Sequence, residues 1–121
     1  MNINLTLLAK LINAYKNCIK SKNTLWAETH KEAIDILCQH LPHGSGIDTG
    51  TQLDIDNSTD KKIVFNLSFH HLNENGYYTN WTNHSVIVTP EFGSFDIKIT
   101  GRNSNYIKEY LNETFSNIFI I

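Results

Sequence analysis

The strongest constraint on how this chain can fold is a run of strict alternation. In KKIVFNLSFHHL, residues 61–72, Ile63, Phe65, Leu67, Phe69 and His71 fall on one side. Val64, Asn66, Ser68, His70 and Leu72 fall on the other, because successive strand side chains point to opposite faces. NENGYY follows, and Asn75-Gly76 is a strong signal for a two-residue type I′ hairpin turn. Counting outward from that turn pairs Glu74 with Tyr77, Leu72 with Thr79, His70 with Trp81, Leu67 with His84, Phe65 with Val86 and Ile63 with Val88. Val86 and Val88 then stand opposite Phe65 and Ile63, the agreement that a correct register gives. The opposite face is then polar, with Asn66, Ser68, His70, Trp81, Asn83 and Ser85.

Helical spacing surrounds this hairpin. Leu5, Leu8, Ile12, Tyr15 and Ile19 mark an amphipathic helix over residues 3–20. Thr24 is expected to cap a second helix, whose apolar face is Trp26, Ala33, Ile34, Leu37 and Leu41 and which Pro42 ends. TQLDID reads as a short strand, Thr89-Pro90-Glu91 as a turn, and FDIKIT as a further strand with Phe95, Ile97 and Ile99 inward. Asn103 or Ser104 caps a last helix striped by Ile107, Leu111, Phe115 and Ile118. The expected fold is α+β and two-layered: two N-terminal helices, an antiparallel sheet of three to four strands, and a C-terminal helix. At 121 residues, 1–121 is a single domain.

Charge removes several classes of function. The net charge is −2 and Arg102 is the sole arginine, so the basic stripe that grips double-stranded nucleic acid is missing. One small anion remains within reach of an arginine and backbone amides. Cys18 and Cys38 read as reduced thiols in a cytoplasmic chain, and no cysteine–histidine spacing suggests a metal. The first residues lack the basic start of a signal peptide, and no apolar run is long enough to span a membrane. No cofactor is expected. The carboxyl end IFII packs on the core or on a second copy, which leaves a homo-oligomer open.

Candidate binding residues gather in three places. Gly44, Ser45, Gly46 and Asp48 sit in the glycine-rich LPHGSGIDTG, where converging backbone amides could hold an anion or simply connect two elements. His70, on the polar strand face opposite Trp81, suits a ligand hydrogen bond or acid–base work, whereas His71 and His84 read as structural. Tyr78 and Trp81 offer stacking surfaces. Arg102, between Gly101 and a helix start, could clamp an anion with the helix amides.

Taken together, LPHGSGID-x-GT, FNLSFHHLNENGYYTNWTNHSVIV and DIKITGRNSNYIKEYL resemble a group of small proteins encoded by phages and mobile elements. Their common pattern is close to LPSGSGxDxGT, FHHMNxxGYYxGW and ITGRNxxxIKxYL. The similarity spans nearly the whole chain, with His43 where serine is usual and Asn80 where glycine is usual. The matching positions here are Gly44, Ser45, Gly46, Asp48, His70, His71, Asn73, Gly76, Tyr77, Tyr78, Trp81, Arg102 and Asn103. Most are polar or glycine, at loops and strand ends, so the resemblance implies a binding site rather than a shared core.

The leading expectation is a non-catalytic protein of the host-cell cytoplasm that captures a small anionic, nucleotide-type ligand and counteracts host defence signalling. The segment after the second helix would then fold across the polar strand face. A protein–protein inhibitor of a host defence factor is the first alternative. A small phosphodiesterase or hydrolase, with His70 as acid or base and Asp48 orienting it, is the second.

Overall fold

The computed structural model describes residues 2–43, 47, 50–72, 75–102 and 105–121, with Leu72, Tyr78 and Thr79 described by backbone alone. In chain order the elements are β1 (Ile3–Asn4), α1 (Leu5–Lys20), α2 (Thr24–Leu37), a 3-10 turn (Cys38–His40), β2 (Gln52–Leu53) and β3 (Ile63–Leu72). There follow β4 (Tyr78–Glu91), β5 (Ser94–Ile99), α3 (Asn105–Ser116) and β6 (Phe119–Ile120). β2, β3, β4 and β5 form an antiparallel sheet in that order, and β1 pairs with β6 in parallel. The α+β two-layer expectation holds, with the small parallel pair as an addition.

The helices start where their caps allow. The Asn4 side chain accepts from the Leu7 amide at 2.9 Å and opens α1. Asn23, rather than Thr24, opens α2 by accepting from Trp26 N at 3.3 Å. Between them Lys22 takes φ +59°, while the Asn23 amide closes on the Cys18 carbonyl at 2.8 Å. This left-handed residue satisfies the last carbonyls of α1 and turns the chain back on itself.

One core joins both layers. Leu5, Leu8 and Ile12 of α1, Ile34 of α2, and Ile107, Leu111 and Phe115 of α3 pack on Ile63, Phe65, Leu67, Phe69, Val86, Val88 and Ile99. Phe65 stacks on Phe119 at 5.4 Å and meets Phe115 at 6.2 Å, so β6 is bound through its aromatic side chain as well as its backbone. Phe119 is buried while Ile120 and Ile121 stay partly exposed, so the apolar carboxyl end packs on the core through Phe119.

Two expected core positions lie outside it. Trp26 is 55% exposed and Ile19 equally so. The buried side of α2 is centred on Ala27 and Ile34, one heptad apart. At about 100° per residue, Trp26 is turned away from that line.

The β3–β4 register matches the count made from the sequence through His71↔Asn80. It then slips. His71 pairs with Asn80 but Leu72 pairs with Tyr78, which leaves Thr79 as a bulge and residues 73–77 as the connection. Gly76 has φ +81°, but Asn75 is not at positive φ, so a type I′ turn with both central residues left-handed does not form. At the other end β4 continues through Pro90 to Glu91, where a turn was expected. β3 begins opposite Val88, so Pro90 lies past its end and owes it no hydrogen bond.

The glycine-rich segment is placed by what flanks it. Thr51 donates through both its amide (3.1 Å) and its hydroxyl (2.8 Å) to the Pro42 carbonyl, closing the neck of the connection. Ile47 bridges Phe69 and is buried in the core, and β2 then pairs Gln52 with Asn66 and Leu53 with Phe65. The described part of this segment, Ile47 and residues 50–53, therefore runs along the edge of β3, while residues 44–46, 48 and 49, on which the expected crossing of the polar face falls, lie outside the described residues. Edge pairing offers its backbone hydrogen-bond partners, and the core holds Ile47, a stronger anchor than a polar surface provides.

Candidate functional site

All three helices contribute to the core on one side of the sheet, and the opposite face, where Val64 is buried, is exposed at Asn66, Trp81 and Asn83. Trp81 there is 60% exposed. His70, its cross-strand partner, meets the indole edge-on at 5.8 Å between ring centres. The two residues that register counting brought together are thus in contact, and the indole keeps a free face.

Next to this pair the face carries a row of uncharged hydrogen-bonding side chains. Ser68 donates to Asn83 Oδ1 at 2.8 Å, and Ser85 donates to Asn66 Oδ1 at 2.7 Å. Each bond joins directly opposed residues of β3 and β4. Asn66 Nδ2 in turn donates to Asp54 Oδ2 at 2.9 Å. That carboxylate also accepts from Asn57 Nδ2 at 2.8 Å and from the Asn57 amide at 3.2 Å. These bonds, from Asn57 first and Asn66 second, hold the Asp54 carboxyl below its usual range, so it stays ionised. Gln52, Asn66, Ser68, Asn83, Ser85 and Thr100, with Leu67 and His84, enclose a shallow hollow of about 410 Å³.

A second network lies on the core side. His84 is 3% exposed, and its Nδ1–H donates to the Thr100 carbonyl at 3.1 Å. A carbonyl can only accept, so neutral His84 presents a bare Nε2 that accepts from the Thr82 hydroxyl at 2.6 Å. Thr82 Oγ1 accepts from His71 Nε2–H at 2.8 Å. Burial pushes the His84 pKa down, the Thr100 carbonyl opposes this, and His71 adds to it. His71 and His84 are therefore structural, as their inward register implied. They tie the end of β5 to β4.

That tie positions Arg102. Gly101 has φ +104°, and a Cβ there would collide with the Asn83 carbonyl and lie 2.8 Å from His84 Nδ1. Only glycine lets the chain press this closely against β4. Arg102 follows directly and is exposed. Of the other expected site residues, Gly44, Ser45, Gly46 and Asp48 lie outside the described residues, as does the side chain of Tyr78, whose backbone pairs with Leu72. The Asn103 and Ser104 caps lie outside them too.

Gln52 and Asp54 went unread in the sequence because their place depends on β2 pairing with β3, which no turn signal announces. Asn66, Ser68, Asn83 and Ser85 were legible as a polar face, and register counting could have paired them as hydrogen-bonded partners.

A larger cleft of about 560 Å³ lies between α2 and residues 51–56. Lys31 and Asp35 already pair within it at 2.6 Å, and burial pushes the Cys38 thiol up to about 11, so it holds no ready nucleophile. Among the described residues no three His, Cys, Asp or Glu side chains gather to hold a metal, and no helix is long and apolar enough to cross a membrane. Compared with family models, curated proteins and solved structures, the chain matches none.

Proposed function

We propose that this chain is a non-catalytic binding protein, made by a phage or mobile element, that captures a small nucleotide-type ligand on the open sheet face. The observation that carries the reading is Trp81. A large indole left 60% exposed costs hydrophobic free energy unless something stacks on it, and here it stands two residues along β4, on the same face, from Asn83, which lines a polar hollow. A base would stack on Trp81, and Arg102 would meet the phosphate. Sequestration of a signalling nucleotide is the role in host defence that such a site serves. The test is to purify the protein from cells, extract it, and identify bound small molecules by mass spectrometry, with thermal shifts against a nucleotide panel. No bound molecule and no shift with any nucleotide refute it.

A second reading is inhibition of a host protein, and α2 supports it. Leu25, Glu32 and Ile36 share one exposed face of that helix, an apolar and acidic stripe suited to a partner protein. Ile36→Asp should abolish capture of a host protein in a pull-down while leaving nucleotide binding unchanged.

A further inference from the structure

The hollow beside Trp81 has a chemistry different from a phosphate site. Its lining residues Gln52, Asn66, Leu67, Ser68, Asn83, His84, Ser85 and Thr100 include no lysine, arginine or carboxylate, and burial, which pushes the His84 pKa down, keeps that imidazole neutral. The charged group tied to its wall is the Asp54 carboxylate, held ionised and bonded to Asn66. A phosphate placed there would lose water without gaining a cation, and would face a like charge.

The hydrogen-bonding pattern also selects. Ser68 and Ser85 have spent their protons on Asn83 and Asn66, so their oxygens remain as acceptors. Among the described residues nothing accepts from Asn83 Nδ2, which leaves donors beside those acceptors. A phosphate accepts only. Vicinal hydroxyls both donate and accept, and match this alternation. From Trp81 to Ser85 the strand runs four residues, about 14 Å at strand rise, which leaves room beyond a stacked base and one ribose.

We infer that the hollow is a sugar subsite, taking the neutral vicinal-diol ring of a sugar-bearing nucleotide whose base and phosphates lie at the Trp81–Arg102 end. The inference rests on the nucleotide reading above and narrows it to the nucleoside diphosphate sugar class. Asn66, Ser68, Asn83 and Ser85 are then specificity residues, and Trp81 is the common anchor.

The test is calorimetric titration of the full chain with UDP, UDP-glucose, ADP, ADP-ribose, and methyl glucoside alone. At least one sugar-bearing nucleotide should bind tenfold or more tightly than its matched diphosphate. Asn83→Ala combined with Ser85→Ala should bring that ratio to near one without weakening the diphosphate. Gln52→Lys, on the exposed edge strand, places a cation in the hollow and should shrink the ratio by favouring the bare diphosphate, which keeps the test alive if the double variant fails to fold. Equal affinities within both pairs overturn the sugar subsite while the nucleotide reading stands. Binding of methyl glucoside, lost in the double variant, with no binding of any of the four nucleotides supports the subsite and removes the nucleotide reading. No binding of any probe overturns both.

Discussion

Replacing Gly101 by alanine tests how the site is held together. Two costs add. The residue sits at φ +104°, where a side chain brings strain of about 1–2 kcal/mol. The new methyl also collides with the Asn83 carbonyl and crowds His84, both in the middle of β4, and overpacking of that kind costs about 1–3 kcal/mol. The sum is about 2–5 kcal/mol, a large part of the 5–15 kcal/mol typical of a domain. At 121 residues each kcal/mol moves Tm by about 4 °C, so the loss is about 8–20 °C. Gly76→Ala is the control, because φ is +81° there and nothing lies within 4 Å of the added carbon. It carries the strain alone, about 1–2 kcal/mol. Thermal unfolding followed by far-ultraviolet circular dichroism measures both. A Gly101→Ala loss no larger than that of Gly76→Ala would refute the close packing that positions Arg102.

Three further outcomes follow from the same geometry. Phe65→Ala empties the centre of the Phe65–Phe115–Phe119 cluster and should cost about 3–5 kcal/mol in urea unfolding, whereas a loss under 1 kcal/mol would mean that the cluster is not the core. The folded state keeps His84 neutral with a depressed pKa, so the unfolded chain takes up the proton first as pH falls below about 6.5. Stability should therefore be full above that value, fall as pH drops towards the folded pKa, and then level. His84→Gln should flatten that part of the Tm–pH curve, and an unchanged curve would contradict the relay. Trp81→Ala removes a mostly exposed side chain, so stability should change by no more than about 0.5 kcal/mol while ligand binding is lost.

How much of this could be read from residues alone depends on whether the signal is local. The β3–β4 register was legible because a period of two, with an apolar face, admits one pairing and punishes a slip of one residue. The bulge at Thr79 was not, since an extra residue near a turn carries no mark when the residue is not glycine. Trp26 misled because helical spacing grouped it with Ala33 and Leu37, whereas the heptad of Ala27 and Ile34 marks the side of α2 that is buried. His70 and Trp81 were placed correctly as a cross-strand pair. Asp54 and Gln52 depended on a long-range edge pairing that sequence spacing does not encode. Gly101 was noted in the sequence only as the neighbour of Arg102, and its constraint is the β4 backbone pressed against it.

The central claim is that a small molecule stacks on Trp81, and fluorescence can ask this directly. Trp26→Phe leaves Trp81 as the single indole. Titrating that variant with nucleotides and nucleoside diphosphate sugars should give saturable quenching that Arg102→Ala weakens. An emission unchanged by every ligand up to millimolar concentration contradicts the account.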